Sequence, residues 1–384
     1  MKVLHIITSL KIGGAEQALC NLLEQLVRQS NIQHHVAYFY DGPCRKPIEK
    51  LGISTYQIKG LFHHYDPIAY LRLKKFITTL KPDLIHSSLW SANIISRIVA
   101  KQCNIPLVCA LHGSCYNEGR VRNWLDRITA HHAQKIVAVS STVYNAYQNH
   151  IVKTLRNPIK KTTILNNLSV ITNGIDAVSL RTKALANPLS RQECGIPTNA
   201  FVIGAVGRLE PIKSYHVLIE AFSLLMNKQQ SASPLILCIV GNGSQKPLLN
   251  RLTHEHGIAS SVIFTGMRVD AYRFYQLFDV FALSSQSEGL SIALLEALSF
   301  GLPVVTTHHT MAAHDAIING SNGFLVAPND ATTLAEALGA LYCNKELLTS
   351  MGMYNKNLVE TKFSLQRTAE CYQNIFKATQ KTTN

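Results

Sequence analysis

Residues 284–305 read SSQSEGLSIALLEALSFGLPVV and contain two glutamates, Glu288 and Glu296, eight positions apart. A short apolar run at 280–283 precedes them and predicts a buried strand. The Ala/Leu-rich segment 291–300 predicts a helix, which the following glycine and proline end. Glu288 is therefore expected at the mouth of a strand–loop–helix unit, where open α/β sheets bind ligands.

The start of the predicted helix favours an anion. The backbone amides of Gly289, Leu290 and Ser291 would point out of a helix N-terminus, which suits a phosphate. A buried Glu296 on so apolar a helix needs a partner, and a pair of sugar hydroxyls is one candidate. The residues alone leave an alternative open, in which Glu288 caps the helix and Glu296 bonds to a neighbouring backbone group.

The same stretch resembles the signature of the family 4 glycosyltransferases, retaining enzymes of the GT-B fold from bacterial polysaccharide and lipopolysaccharide synthesis. The family pattern is S-x-x-E-G-(F)-x-x-x-x-L-E-A-x-x-x-G-x-P-V. It matches here at Ser285, Glu288, Gly289, Leu295, Glu296, Ala297, Gly301, Pro303 and Val304. Leu290 and Ser291 replace a common Phe and Gly, near the position where the family selects its donor sugar. The resemblance implies that Glu288 holds hydroxyls of the transferred sugar and Glu296 the nucleotide ribose.

Arg208 and Lys213 form a second motif, between a predicted strand and a predicted helix at 217–225. Both supply hydrogen-bond donors and positive charge that could converge on a diphosphate, although a solvent-facing pair is the plain alternative. The run V-G-R-L-E-P-I-K at 206–213 resembles the family motif G-R-x-x-x-x-K-G, with Ser214 in place of the last glycine. The resemblance implies that this Arg and Lys bind the donor's diphosphate.

Three further candidates belong to the N-terminal half. His112 ends the predicted strand 107–111, where a histidine taken alone is more often structural. Its resemblance to the family's H-G pair implies contact with the transferred sugar and stabilisation of the transition state, and we assign it no role as general base. Gly13 and Gly14 follow the first predicted strand and resemble the family's G-G-A-E loop near the donor phosphate and the acceptor. Glycines after a strand are also ordinary turn formers.

Two more predicted strands of the second half end in candidate nucleotide-binding loops. Gly241 follows one strand, and Met267 and Arg268 follow the next. In the family, loops at these places enclose the nucleotide, whereas the residues alone are equally typical of simple turns. The chain contains no G-x-G-x-x-G run, which argues against a nicotinamide-dependent dehydrogenase.

We expect neither a cofactor nor a bound metal, and a nucleotide-diphosphate sugar, UDP- or GDP-linked, as co-substrate. The charge on a leaving diphosphate must be stabilised, and Arg208, Lys213 and the helix amides near Gly289 suffice for that. Adjacent histidines face different ways and make poor joint ligands, which applies to the pairs His63–His64, His131–His132 and His308–His309.

A glycosidase is disfavoured by the spacing of the two glutamates. Eight residues of helix span about 12 Å, whereas the carboxyl pairs of glycosidases lie roughly 5 to 9.5 Å apart.

Two series of predicted strands, separated by helical patterns, indicate an α/β protein with parallel sheets covered on both faces. The strands are predicted at 3–8, 35–40, 54–58, 83–86, 107–111, 136–139 and 168–171, and then at 201–206, 235–240, 262–264, 279–283, 303–306 and 323–326. The resemblance implies a GT-B protein, with two doubly wound Rossmann-like domains facing a cleft. We predict an acceptor-binding domain at 1–180, a linker at 181–199, a nucleotide-sugar-binding domain at 200–363 and a final helix at 364–384 that crosses back.

The net charge of +14 lies in the N-terminal half, because residues 1–185 hold 23 Lys/Arg and 9 Asp/Glu while the rest holds 14 of each. The basic residues cluster in a helical pattern at 71–81, around Trp124, and at 153–161. The first cluster either packs its apolar side inward or rests on an anionic membrane. No nucleic-acid motif is present.

No signal peptide and no apolar run of roughly 18 residues is found, and nine cysteines without a Cys-x-x-Cys pair indicate reduced thiols. We therefore expect a cytoplasmic protein, either free in solution or, as the basic N-terminal half suggests, peripheral on the inner face of the cytoplasmic membrane. The predicted function is a retaining, hexosyltransferase-type, metal-independent transfer to a glycan or lipid-linked acceptor in cell-envelope polysaccharide synthesis. The alternatives are a catalytically silent GT-B binding protein and a GT-B sugar-nucleotide epimerase.

Overall fold

Parallel strands form two separate sheets in the computed structural model, which describes residues 1–61, 66–113, 119–228, 233–308 and 311–381. The chain divides into two compact units. Residues 1–174 and 365–384 form the first unit, and residues 175–364 form the second.

The first unit holds seven strands, which are β1 (Lys2–Ser9), β2 (Gln33–Tyr40), β3 (Ser54–Gln57), β4 (Leu84–Ser88), β5 (Leu107–Leu111), β6 (Lys135–Ala138) and β7 (Leu168–Val170). Its helices are α1 (Gly14–Gln29), α2 (Arg45–Lys50), α3 (Pro67–Leu80), α4 (Trp90–Cys103), α5 (Arg120–Thr129), α6 (Ser141–Tyr147) and α7 (Pro158–Asn167). The last helix of the chain (Leu365–Lys381) also belongs to this unit.

The second unit holds six strands, which are β8 (Phe201–Val206), β9 (Leu235–Val240), β10 (Val262–Gly266), β11 (Val280–Leu283), β12 (Val304–Thr307) and β13 (Gly323–Val326). Its helices are α8 (Ala177–Ala186), α9 (Tyr215–Lys228), α10 (Lys246–Glu255), α11 (Ile292–Ser299), α12 (Met311–Ala316), α13 (Ala331–Cys343) and α14 (Lys345–Lys362). The last helix of the chain is hereafter α15.

The strand order is β3-β2-β1-β4-β5-β6-β7 in the first sheet and β10-β9-β8-β11-β12-β13 in the second. Every pairing between these strands is parallel. Both sheets are doubly wound, so the predicted α/β class is confirmed. All thirteen predicted strands are present, with ends that differ by no more than two residues. The order reverses between β1 and β4, and again between β8 and β11, and such switch points are where open sheets bind ligands.

The final helix packs on the sheet of the first unit. Ala369, Tyr372 and Phe376 of α15 are buried together with Val3 of β1 and Val108 of β5. Their spacing places all three on one side of the helix. Burial of apolar surface therefore attaches the C-terminus of the chain to its first sheet.

The stretch predicted as a linker, 181–199, is structured and belongs to the second unit. Its first residues lie in α8. Arg181 donates to the carbonyl of Ser299 at 2.8 Å. Arg191 pairs with Asp279 at 2.8 Å. These bonds attach the stretch to the second unit.

The basic helix predicted at 71–81 corresponds to α3, and its apolar side faces inward. Leu73 and Ile77 are fully buried in the core of the first unit, and Phe76 and Leu80 pack against that core. The core packing uses the apolar surface that a membrane would otherwise cover.

Within the described part of the chain, none of the helices combines the length and the apolar character that crossing a bilayer requires. The eight described cysteines are free thiols. Cys115, the pair His63–His64 and His309 lie outside the described residues.

Three histidines lie inside the first sheet and contact one another. His5 Nδ1 lies 2.9 Å from His86 Nδ1, and His5 Nε2 lies 3.0 Å from His34 Nδ1. All three are buried. Burial disfavours the imidazolium, so it lowers the pKa of His34 to about 4 and that of His86 to about 3. The pKa of His5 is also held well below its ordinary value by burial. The three rings are therefore neutral at pH 7.

We expect the free energy of unfolding of the first unit to fall as the pH is lowered from about 7 to about 5. The unfolded chain takes up protons near a histidine pKa of about 6.5, whereas the buried rings do so only at lower pH, which costs about 2 kcal/mol per ring. Trp90 and Trp124 are the two tryptophans of the chain and both lie in this unit. Tryptophan fluorescence during urea unfolding therefore follows the first unit alone.

The matched variants are His5→Gln, which replaces a buried ring, and His150→Gln, which replaces an exposed one. His5→Gln should reduce the pH dependence of unfolding by close to one proton, and His150→Gln should leave it as in the wild type. If the pH dependence of unfolding is unchanged in His5→Gln, the conclusion that His5 is neutral in the folded protein is wrong.

Candidate active site

The switch point of the second sheet brings two predicted motifs together. β8 and β11 are neighbours, and the loops that follow them carry Arg208 to Lys213 and Ser284 to Glu288. Because parallel strands end at the same edge of a sheet, these loops lie side by side. The amide of Gln286 donates to the carbonyl of Ile212 at 2.9 Å, which joins them directly.

Lys213 and Glu288 form an ion pair in which both side chains are largely buried, with 15% and 16% exposed. Ser285 Oγ donates to Glu288 Oε1 at 2.9 Å. Ser284 Oγ donates to the carbonyl of Lys213 at 2.9 Å. Glu288 is thus held by a cation and a hydroxyl, and the Lys213 charge is balanced by a carboxylate. Hydrogen bonding to two donors fixes the direction of the carboxylate.

Ser214 occupies the position at which the resembled motif has glycine. Its φ of +47° lies in the left-handed region, which favours glycine because a Cβ crowds the backbone there. The next residue, Tyr215, begins α9 with a buried side chain. Burial, followed by the nearby Glu288 charge, raises the pKa of Tyr215. This loop keeps the left-handed turn without the glycine.

Arg208 is exposed at the end of β8, where it is free of the core. Its loop is fastened through Glu210, which accepts from Ser244 Oγ at 2.7 Å in the loop after β9. Gly241 lies in that second loop, and a Cβ there would come within 1.9 Å of the Gly207 carbonyl oxygen. Because Gly241 has no side chain, the backbone of the loop after β9 can approach that of the loop after β8 closely.

Glu296 lies within α11 and accepts a hydrogen bond from Tyr275 Oη at 2.8 Å. Burial raises the pKa of Glu296 to about 7, and the Tyr275 bond opposes this increase. The ring of Tyr275 stacks on Phe300 with centroids 5.6 Å apart. This packing holds the hydroxyl in place, so Tyr275 sets the direction of the Glu296 carboxylate.

The helix α11 begins at Ile292 and does not include Glu288. The estimate of about 12 Å along one helix was therefore wrong for this pair. Ser291 is the N-cap of α11, and its Oγ accepts from the amide of Leu294 at 3.4 Å. Leu290 is buried, so its side chain is part of the core.

The two residues predicted to line the base differ in their surroundings. Met267 is 59% exposed after β10. Arg268 forms two hydrogen bonds of 2.9 Å to the carboxylate of Asp270, and Arg273 donates to the same carboxylate at 2.9 Å. The guanidinium of Arg268 also lies 5.4 Å from the centroid of the Phe274 ring. Arg268 is thus held in place by its own loop.

The first unit holds the remaining candidates. His112 follows β5 and lines a cavity of about 20 Å³ together with His86, Ser88, Asn173, Thr368 and Tyr372. Burial lowers the pKa of His112 to about 4, so its ring is neutral at pH 7.

The loop after β1 is bridged by the Glu16 side chain, which hydrogen-bonds to Ser9 at the end of β1. Gly13 precedes α1, and Gly14 is its first residue. A Cβ at Gly13 would come within 2.4 Å of Glu16 Oε2. Ser9 Oγ donates to Glu16 Oε1 at 2.5 Å. A side chain at Gly13 would therefore displace the Glu16 carboxylate from this position.

Among the described residues, no group of three or more His, Cys, Asp or Glu side chains is arranged to hold a metal ion. Glu288, a candidate carboxylate of the second unit, is instead paired with Lys213.

Two family models together cover most of the chain. The model described as Glycosyltransferase Family 4 matches residues 12–178, and the one described as Glycosyl transferases group 1 matches residues 187–358. The chain belongs to the family 4 glycosyltransferases. This family 4 glycosyltransferase is similar over 98% of its length to Anabaena HepE, whose crystal structure contains UDP and glucose; that chain is covered completely, with a TM-score of 0.83 at 22% identity. The GT-B fold is thereby confirmed.

Curated relatives of this protein are themselves named as glycosyltransferases. An Escherichia coli protein named UDP-Gal:alpha-D-GlcNAc-diphosphoundecaprenol alpha-1,3-galactosyltransferase is 25% identical over 331 residues, which are 81% of this chain and 79% of that protein. The lipopolysaccharide core biosynthesis glycosyltransferase LpsD of Rhizobium meliloti (strain 1021) is 22% identical and is covered over 98% of both chains.

Sequence reasoning did not identify Tyr275, Glu210 or Ser244 as site residues. Tyr275 precedes Glu296 by 21 positions, and Glu210 precedes Ser244 by 34, so no local pattern links either pair. Ser285 had a signal, because it is the first position of the quoted family pattern.

We expect Glu296→Gln to stabilise the ligand-free protein at about pH 8 by about 1–3 kcal/mol and to leave its stability nearly unchanged at about pH 5. The folded state holds a proton on Glu296 up to a pKa of about 7, so stability falls as the pH rises from about 4.5 through 7. Glutamine does not ionise, so the variant does not lose stability in this way as the pH rises. Urea unfolding followed by circular dichroism at both pH values measures the effect.

The matched control is Glu220→Gln on the exposed side of α9, which should change stability little at either pH. A Glu296→Gln protein that is less stable than the wild type at pH 8 would show that the carboxylate stabilises the unliganded fold.

Proposed function

We propose that this family 4 glycosyltransferase moves a hexose from a UDP-linked sugar to a glycan or lipid-linked acceptor, with retention of the anomeric configuration. The observation that carries the proposal is the ion pair of Lys213 and Glu288 at the switch point of the second sheet, where the loop of Lys213 also carries Arg208. The name of the Escherichia coli relative and the UDP in the HepE crystal structure support a uridine nucleotide.

Each residue of the second unit has a distinct role in this proposal. Arg208 and Lys213 stabilise the negative charge that develops on the departing diphosphate. Glu288, held by Ser285, accepts hydrogen bonds from hydroxyls of the transferred sugar. Glu296, directed by Tyr275, accepts hydrogen bonds from the ribose. Gly241, Met267 and Arg268 contribute the loops around the base, and the amides of Gly289, Leu290 and Ser291 face the phosphates.

The bond from the anomeric carbon to the diphosphate oxygen breaks first, which leaves an oxocarbenium-like sugar. The acceptor hydroxyl then attacks the same face and passes its proton to the departing diphosphate oxygen. His112 is neutral at pH 7, so it can donate or accept a hydrogen bond to the sugar without adding charge. Gly13 and Gly14 provide the loop near the phosphate and the acceptor.

No metal enters the proposed reaction. Two cationic side chains and a helix N-terminus supply the positive potential that a divalent ion would otherwise provide. The proposed acceptor belongs to envelope polysaccharide synthesis, which the diphosphoundecaprenol and lipopolysaccharide in the names of the two relatives support. The proposed location is the cytoplasmic face of the membrane.

We expect one class of nucleotide sugar to raise the unfolding temperature of the purified protein, with UDP-linked sugars ahead of GDP-, ADP- and dTDP-linked ones. Ligand at about 100 times its dissociation constant adds roughly 2.7 kcal/mol of stability. Lys213→Met should weaken the shift, because it removes a cation that contacts the diphosphate. Lys228→Met, at an exposed lysine on α9, is the matched control. A panel without any shift would contradict the proposed donor site.

We expect Lys213→Met to reduce kcat/KM for transfer about 100- to 1,000-fold, the usual cost of losing one group that stabilises transition-state charge. The assay follows release of UDP with a polyprenyl-diphosphate-linked acetamido sugar as acceptor, with Lys228→Met again as control. Nuclear magnetic resonance of the product gives the anomeric configuration. An inverted linkage would overturn retention. Nucleotide binding without turnover would favour a catalytically silent binding protein. Isomerisation of the sugar nucleotide without an acceptor would favour an epimerase.

A further inference from the structure

The helix α5 presents an apolar row to solvent. Val121, Trp124 and Ile128 are 56%, 55% and 38% exposed. Their spacing of three and four residues aligns them on one side of the helix. Single exposed apolar residues are ordinary on protein surfaces, but an aligned row that includes a tryptophan is a feature of interaction sites.

A buried ion pair fixes this orientation of α5. Asp126 lies on the opposite side of the helix, and Arg97 Nη1 of α4 donates to its Oδ1 at 2.6 Å. Trp90 Nε1 donates to its Oδ2 at 2.7 Å. Because breaking a buried pair leaves an uncompensated charge, α5 cannot turn its apolar row inward. The row therefore stays on the surface.

The helix α7 packs against the same two short turns as α5, Ala130–His132 and Gln148–Val152. It exposes Ile159 to 77%. Residues 119–175 contain eight Lys/Arg and one carboxylate, and that carboxylate is the buried Asp126. This segment thus contributes positive charge to the surface and no exposed carboxylate.

We define the α5–α7 surface as this apolar set with the basic residues around it. Its members are Val121, Trp124, Ile128, Ile159, Arg120, Arg122, Arg127, Lys153, Arg156, Lys160 and Lys161. Arg122 also stacks on the Trp90 ring at 4.6 Å from the centroid, and Arg127 donates to the carbonyl of His150 at 3.1 Å. These contacts fix the positions of two of the cations, and Arg122 is held by Trp90, the residue that also donates to Asp126.

We propose that the α5–α7 surface docks on an anionic lipid bilayer. The apolar row enters the interface, where tryptophan is favoured, and the basic side chains contact the anionic headgroups. A soluble polyanion would use the charges but leave the apolar row in water, so a bilayer fits both features. The inference rests on the proposed function, in which a lipid-linked acceptor is held in such a bilayer.

The other basic helix of the first unit, α3, fits a bilayer less well. Residues 66–83 hold four Lys/Arg and two Asp, and the apolar stripe of α3 lies in the core. Lys74 Nζ also donates to Gln102 at 2.9 Å. Because α3 still exposes Leu71 and several basic side chains, it provides a matched control surface.

The test is flotation of the full chain with vesicles of phosphatidylcholine alone or mixed with phosphatidylglycerol, without nucleotide sugar. We expect binding that requires phosphatidylglycerol and weakens with salt. The triple variant Arg120→Gln/Lys160→Gln/Lys161→Gln should bind about 100-fold more weakly, at about fivefold per charge, and Trp124→Ala about tenfold more weakly. The controls on α3, Arg72→Gln/Lys74→Gln/Lys75→Gln and Leu71→Ala, should bind like the wild type.

Three results would overturn the proposal. They are binding without a preference for phosphatidylglycerol, a loss confined to the α3 variants, and binding to soluble polyphosphate but not to vesicles. Tryptophan emission is a second measurement, because anionic vesicles should shift it to shorter wavelength in the wild type and not in Trp124→Phe. The nucleotide-sugar thermal shift is measured separately on every variant. A retained shift with lost flotation distinguishes failure of docking from failure of the donor site.

Discussion

Parallel pairing of the strands is the constraint on which the candidate site depends. In a parallel sheet every strand ends at the same edge, so each connecting loop after a strand is delivered there. The reversal of order between β8 and β11 sends their helices to opposite faces and leaves a gap between the two loops. Lys213 and Glu288, 75 positions apart in the chain, meet at this gap. Neither contact partner could reach the other if one strand were antiparallel.

The candidate site places an ionisable group in apolar surroundings. Glu296 lies on the apolar helix α11, and its pKa of about 7 reflects the free-energy cost of burying its carboxylate. Tyr275 offsets part of that cost with a hydrogen bond and holds the group in one direction. Such preorganisation is favourable for binding a hydroxyl pair, and it reduces the stability of the unliganded fold.

The first unit handles its buried polar groups differently. Its three contacting histidines are neutral, so they form hydrogen bonds without placing charge in the core. Arg97 and Asp126 are the contrasting case, because both are charged and buried, and each supplies the counter-charge of the other. That pair fixes the side on which α5 faces solvent. The buried Arg97–Asp126 pair thereby determines that Val121, Trp124 and Ile128 of α5 face solvent.

The sequence by itself determined the thirteen strands, the doubly wound class and the motif residues, because period, turn residues and motif spacing are local properties. It also located the basic clusters, but not which helix side meets the core. The apolar stripe of α3 turned inward, whereas the row containing Trp124 on α5 stayed outside. Only the tertiary structure decided which side of each helix is buried, and only it showed the Tyr275–Glu296 hydrogen bond. Both features depend on contacts between residues far apart in the chain.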